Sequence, residues 1–160
     1  MRNNYRSLVY LNEGNSLVEM VILLCIISIL LVASMPTTRA LASGLIINME
    51  AVRLAQDIRY TQQLTLTRGK KYELMLDRAE NSYDIRTTGS IRRKVIKRVN
   101  LTEGVYIRYS TLYGSGFYYY IQFNSKTGLP GRTGTIYLSD RYGNTRDIII
   151  VPTTGRVRIR

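Results

Sequence analysis

The sequence has no histidine and no tryptophan, one cysteine, three prolines and two phenylalanines, and its 11 acidic residues are outnumbered by 23 basic ones. Without histidine there is no imidazole to serve as general base or metal ligand. The lone Cys25 can form neither an intramolecular disulfide nor a Cys/His zinc site. Paired carboxylates or an activated lysine remain as catalytic routes, but Asp140 and Asp147 flank an expected hairpin and read as turn and strand-end residues. Gly114-Ser115-Gly116 lacks the following lysine and hydroxyl residue of a phosphate loop. No cofactor, metal site or catalytic constellation is expected, and the chain reads as a non-enzyme. With 160 residues and 45 % apolar content, it has room for one domain and appendages.

Acidic residues are scarcest where basic ones concentrate. The formal charge is +12, yet residues 15–36 carry only Glu19, residues 37–90 carry 8 basic and 6 acidic groups, and residues 91–160 carry 13 basic and 3 acidic ones. Such a basic C-terminal half attracts polyanions, although basicity also serves solubility alone.

One long apolar run is present. Leu17 to Ala33 is broken only by Glu19 and Ser28, and at ~1.5 Å per residue a helix of this length nearly crosses the ~30 Å hydrocarbon layer. Arg2 and Arg6 precede it, so the positive-inside bias leaves residues 1–14 in the cytoplasm and the rest of the chain outside a single membrane pass. An ordinary secretory signal peptide is the rival, with Ala40-Leu41-Ala42 as a small-residue cleavage site. Against it, the polar boundary falls before the run, at Glu13-Gly14, and a carboxylate sits just inside. A charge there is costly and suggests a partner.

The string Gly14-Asn15-Ser16-Leu17-Val18-Glu19, followed by an apolar run and Pro36, resembles the leader junction of type IV prepilins and type II secretion pseudopilins. The resemblance implies a cytoplasmic leader, 1–14, cut after Gly14 by a prepilin peptidase that methylates the new N-terminus at Asn15. In that reading 15–36 is the transmembrane half of a helix, 37–69 its extramembrane half, and 70–160 a β-rich head. Where the family usually has phenylalanine or another apolar residue, this chain has Asn15. Gly14 lets the backbone lie extended in a peptidase cleft, and Glu19 can pair with an N-terminal amine of its own or a neighbouring subunit. Pro36, lacking an N–H, is expected to kink the helix.

After Pro36, the spacing of Ile47, Ala51, Leu54, Ile58 and Gln62 predicts a helix to about Thr67 with one core-facing stripe, stopped by Arg68-Gly69-Lys70. Alternation then predicts strands at 72–77, 82–86, 94–100, 105–109, 117–124, 135–139, 146–151 and 156–160. Gly114-Ser115-Gly116, Lys126-Thr127-Gly128 and Tyr142-Gly143-Asn144 are expected turns. Phe117, Tyr119, Ile121 and Phe123 are expected on one buried face with Tyr118 and Tyr120 outside, and Ile148 to Val151 is expected to be covered on both faces. The fold class is α+β: a long N-terminal helix packed on a C-terminal antiparallel sheet or small β-sandwich.

Leu54 to Gln63 ending in Arg68-Gly69, and the close Arg146 to Val151 then Thr154 to Ile159, look like the helix end and last strands of H-type pseudopilins and FimT-like minor pilins. This likeness implies a filament subunit whose partners are other pilins, the peptidase, an inner-membrane assembly platform and, indirectly, its ATPase. Some FimT-like proteins are implicated in DNA uptake through a terminal Gly-Arg-x-Arg motif, matched here by Gly155-Arg156-Val157-Arg158. Alternation would put Arg156, Arg158 and Arg160 on one face of a strand, as a phosphate rail or as a solvated edge. Arg92, Arg93, Lys94, Lys97 and Arg98 are candidates to widen it. A third reading is a stand-alone membrane-anchored β-domain that binds anionic polymer.

Overall fold

The computed structural model describes the backbone of residues 13–88, 93–151 and 154–160, with side chains described from Ser16 to Ser34 and from Ala42 onward within those ranges. Helix α1 runs Glu13–Arg68, with Pro36 in its interior. Contacts divide the chain into a unit ending at Leu41 and a compact unit, Ala42–Arg160.

In the first unit, Ser16–Ser34 has a mean hydropathy of 2.8 and none of it is buried. Its two serines past the start do not leave hydroxyls unsatisfied. Ser28 Oγ donates to the Leu24 carbonyl at 2.7 Å and Ser34 Oγ to the Leu30 carbonyl at 3.0 Å. Neither hydroxyl therefore needs a partner outside the helix.

The second unit holds the rest of α1 and nine strands: β1 Tyr72–Asp77, β2 Ser82–Thr87, β3 Val95–Asn100, β4 Val105–Ser110, β5 Tyr113–Ser115, β6 Tyr118–Gln122, β7 Gly134–Asp140, β8 Thr145–Ile150 and β9 Val157–Ile159. They form two antiparallel sheets, in the orders β3-β2-β1-β6-β5 and β4-β7-β8-β9. The α+β expectation holds.

Steps of four and three along α1 bring Ile47, Ala51, Leu54 and Ile58 onto one face, all fully buried. They pack in one core with Leu74, Leu76, Tyr83, Ile85 and Ile121 of the first sheet and Val105, Ile136, Leu138, Ile148 and Val157 of the second. Thr61 and Thr65 continue the seam, each hydroxyl satisfied by the carbonyl four residues back. The helix ends at Arg68 as expected, where Gly69 takes a left-handed φ of 60°.

Asn81 joins the sheets. It holds a φ of 51°, which asparagine tolerates better than most residues. Its amide donates to the Val105 carbonyl at 2.6 Å and its side-chain oxygen accepts from the Ile107 N–H at 3.0 Å, so the β1–β2 turn grips β4.

Three expectations fail locally. Gly114 and Ser115 are not a turn but part of the short strand β5, because Gly114 lies so close to β6 that a Cβ would come 2.1 Å from the Tyr118 carbonyl oxygen. Phe117 is 57 % exposed: the turn at Gly116 ends the alternation before β6 begins, and only Tyr119, Ile121 and Phe123 keep to the core side. Ile148 and Ile150 are buried, but Ile149 and Val151 are half-buried, because the outer face of the second sheet is incompletely covered.

Asp140 ties the β7–β8 hairpin to α1. Burial pushes its carboxyl upward, but hydrogen bonds from Ser43 Oγ (2.5 Å), Asn144 Nδ2 (2.7 Å) and the N–H groups of Asn144 (2.8 Å) and Tyr142 (2.9 Å) prevail and hold it below the ordinary carboxylate range. Since the folded pKa is lower than the unfolded one, this stabilisation is complete above the ordinary range and is lost as pH falls through the folded value. Asp140→Asn is expected to cost about 1–3 kcal/mol near neutral pH and to flatten the acid limb of a plot of urea midpoint against pH. An acid limb as steep as that of the parent would contradict the assignment.

Candidate functional site

Strand β9 is the edge of the second sheet. Its ladder extends past the strand itself: the Val151 N–H donates to the Arg156 carbonyl at 3.0 Å, and Asp147 and Arg160 exchange both backbone bonds at 2.9 Å. Alternation holds across this stretch. Val157 is buried and Ile159 packs against the core, while Arg156, Arg158 and Arg160 are exposed. Among the described residues, none of the three arginines is in an ion pair.

The strand is anchored by α1. Arg59 donates to the Val157 carbonyl at 3.0 Å. Gly155, which begins the Gly-Arg-x-Arg stretch, has a φ of 63°, and a Cβ there would meet Gln62 Nε2 at 2.7 Å. The left-handed conformation favours glycine at this position, and a side chain there would have to displace the Gln62 amide.

The rail does not gather all the expected cations. Lys97 and Arg98 belong to β3 in the other sheet and are engaged: Lys97 Nζ lies 2.6 Å from Asp57 Oδ1, and Arg98 Nη2 lies 3.0 Å from Glu80 Oε2. Arg93 and Lys94 precede that same strand and are exposed, and Arg92 lies outside the described residues.

At the other end of the chain, Gly14 and Asn15 fall in the first turns of α1, with their side chains outside the described set, as is that of Pro36. Glu19 is exposed within the apolar segment. From Leu17 to Val32 the large apolar side chains are likewise exposed, Leu17 by 69 % and Ile29 by 68 %. A surface of this kind fits a membrane anchor.

A cleft of ≈ 550 Å³ lies on the first sheet, with Glu73, Tyr120, Gln122 and Tyr113 contributed by β1, β6 and β5 and two arginines, Arg93 and Arg132, contributed by loops.

No family model and no curated protein matches the sequence. A solved structure does match by shape: the minor pseudopilin EpsH from the Type 2 Secretion System of Vibrio cholerae, at 10 % identity and a TM-score of 0.59, over 71 % of this chain and 95 % of that one. The chain has the fold of a minor pseudopilin.

Within this pseudopilin fold, the arginine rail is legible in the sequence because it is local to one strand. The cleft is not. Its residues come from five separated segments, and only the strand order β1-β6-β5 makes neighbours of Glu73, Tyr120 and Tyr113. The Arg132 guanidinium lies over the Tyr113 ring, 4.3 Å from its centroid.

Proposed function

We propose that this chain is a minor pilin or pseudopilin, a structural subunit of a type II secretion-like or type IV pilus filament at the cytoplasmic membrane. One observation carries the reading: an apolar segment, Ser16–Ser34, with no buried residue, continues as the same helix into a head of pseudopilin fold. Cleavage after Gly14 by the prepilin peptidase would make Asn15 the N-terminus and bring its amine within reach of Glu19, as the resemblance of the leader implies. In the filament the helix packs with those of other pilins, and the head lies outside the membrane. The assembly platform and its ATPase supply the work, for which this chain has no phosphate loop.

Glu19 then serves assembly. A carboxylate at the centre of a membrane helix costs ~2.5–3.5 kcal/mol, less near the end, and pairing with a neighbour's amine relieves both charges. Glu19→Ala is expected to insert normally but to fall at least about tenfold in the sheared-filament fraction, since removing one partner of a buried pair costs ~3–5 kcal/mol. Equal recovery of variant and parent would remove Glu19 from assembly.

A second reading, nucleic-acid binding by the same subunit, is favoured by the three exposed arginines without ion pairs on β9. Residues two apart in a strand are spaced ~6.6–6.8 Å along it, a step at which arginines suit successive phosphates. Arg156→Ala with Arg158→Ala is expected to shallow the salt dependence of duplex binding by ~0.9 in log–log slope per lost phosphate contact. An unchanged slope would exclude the rail.

A further inference from the structure

The polar face of the first sheet is organised in rows. The register sets Glu73 between Arg86 and Gln122, and Met75 between Asp84 and Tyr120, with Tyr113 beyond Tyr120. Two guanidiniums are laid on the two tyrosines: Arg86 over Tyr120 at 5.3 Å and Arg132 over Tyr113 at 4.3 Å. A guanidinium stacked on a ring keeps its N–H edge in plane and loses little freedom when it grips a carboxylate.

The charge of the cleft is unbalanced. Its acidic wall, Glu73, is already neutralised by Arg86, whose Nε lies 2.6 Å from Glu73 Oε1 and whose Nη2 is buried without a partner. On the same face, burial raises the Asp84 carboxyl above the ordinary carboxylate range against the pull of Arg86 and Arg98. Among the described residues, Arg93 and Arg132 have no carboxylate partner, so two cations face the cleft unopposed.

We propose that this cleft is a docking site for an extended acidic segment of another protein, with Arg93 and Arg132 gripping its carboxylates and Gln122, whose Nε2 donates to Thr88 Oγ1 at 3.3 Å, keeping its side-chain oxygen for the backbone of that segment. This goes beyond the filament reading, because it concerns what the isolated subunit binds. Three observations select the occupant. A volume of ≈ 550 Å³ is that of a small-ligand or short-peptide site, too small to enclose a duplex. A ring face covered by a guanidinium is closed to a base, which disfavours a single strand. A second copy of this chain has no acidic stretch to offer: its densest acidic region is Glu73, Asp77, Glu80 and Asp84, of which Glu73, Asp77 and Asp84 are buried and Glu80 is paired with Arg98.

The test uses the full chain in detergent micelles and a fluorescent hexaglutamate peptide, with a short DNA duplex as the competing polyanion. The peptide is expected to bind, to lose at least about tenfold in affinity with Arg93→Gln and Arg132→Gln together, and to keep its affinity with Arg156→Ala and Arg158→Ala. Arg132→Lys, which keeps the charge and loses the planar fork, is expected to fall between. Absence of peptide binding, a loss that follows the β9 arginines instead, or displacement of the peptide by duplex in a manner that depends on Arg93 and Arg132 would each overturn the proposal.

Discussion

Replacing Asp57 by alanine is expected to lower the stability of the Ala42–Arg160 unit by about 1–4 kcal/mol, more than any other single polar substitution on α1. Asp57 sits on the inner side of the helix, 6 % exposed, and its carboxylate accepts from the Tyr83 hydroxyl at 2.7 Å and from Lys97 Nζ at 2.6 and 2.8 Å. Tyr83 is fully buried in β2, and burial together with the bond to Asp57 pushes its hydroxyl far above the usual range, so it remains a neutral donor at any physiological pH. Removing the acceptor strands that hydroxyl in the core, a cost of ~1–3 kcal/mol. Lys97 contributes less. Its side chain is 41 % exposed and regains water when released, so its part is at most ~1 kcal/mol. Urea unfolding of the parent, Asp57→Ala, Asp57→Asn and Lys97→Ala separates the two terms. Asp57→Asn, which keeps an acceptor for Tyr83, is expected to lose about half as much as alanine, and Lys97→Ala least. An Asp57→Ala midpoint indistinguishable from the parent would show that Tyr83 finds another acceptor.

That arrangement also marks where sequence reasoning stops. The helix seam was readable because Ile47, Ala51, Leu54 and Ile58 repeat at the period of a helix, and Gly69 stops it where only a left-handed residue fits. Strands β1 to β4 and β6 to β9 were readable from alternation, which needs only near neighbours. Asp57, by contrast, pairs with Lys97 across 40 residues, which takes Lys97 out of the basic patch that the sequence suggests. Strand β5 is three residues long and contains a glycine, so no period could form in it. Phe117 was misplaced for a related reason: alternation says which residues share a face, but it does not say where a turn cancels it.

The two candidate surfaces divide along the same line. Arg156, Arg158 and Arg160 need only the extended backbone of one edge strand to share a face. Arg93, Arg132, Tyr113 and Tyr120 need the whole order of the first sheet and the loop ending at Gly134 to meet around one cleft. The apolar segment needs least of all, because its length and composition lie in one uninterrupted stretch of sequence.

If residues 1–14 are a leader removed on the way to a filament, the protein isolated from its native membrane begins at Asn15. Gly14 is the position on which this depends, since a side chain there would obstruct the extended backbone at the scissile bond. N-terminal sequencing and intact mass of the parent and of Gly14→Ala, each taken from that membrane, decide the matter. The parent is expected to start at Asn15 with one added methyl group, and the variant to keep the leader and start at its original N-terminus. A parent that starts near Ser43, or that keeps residues 1–14, would contradict a pilin pathway and leave a membrane-anchored or secreted basic β-domain.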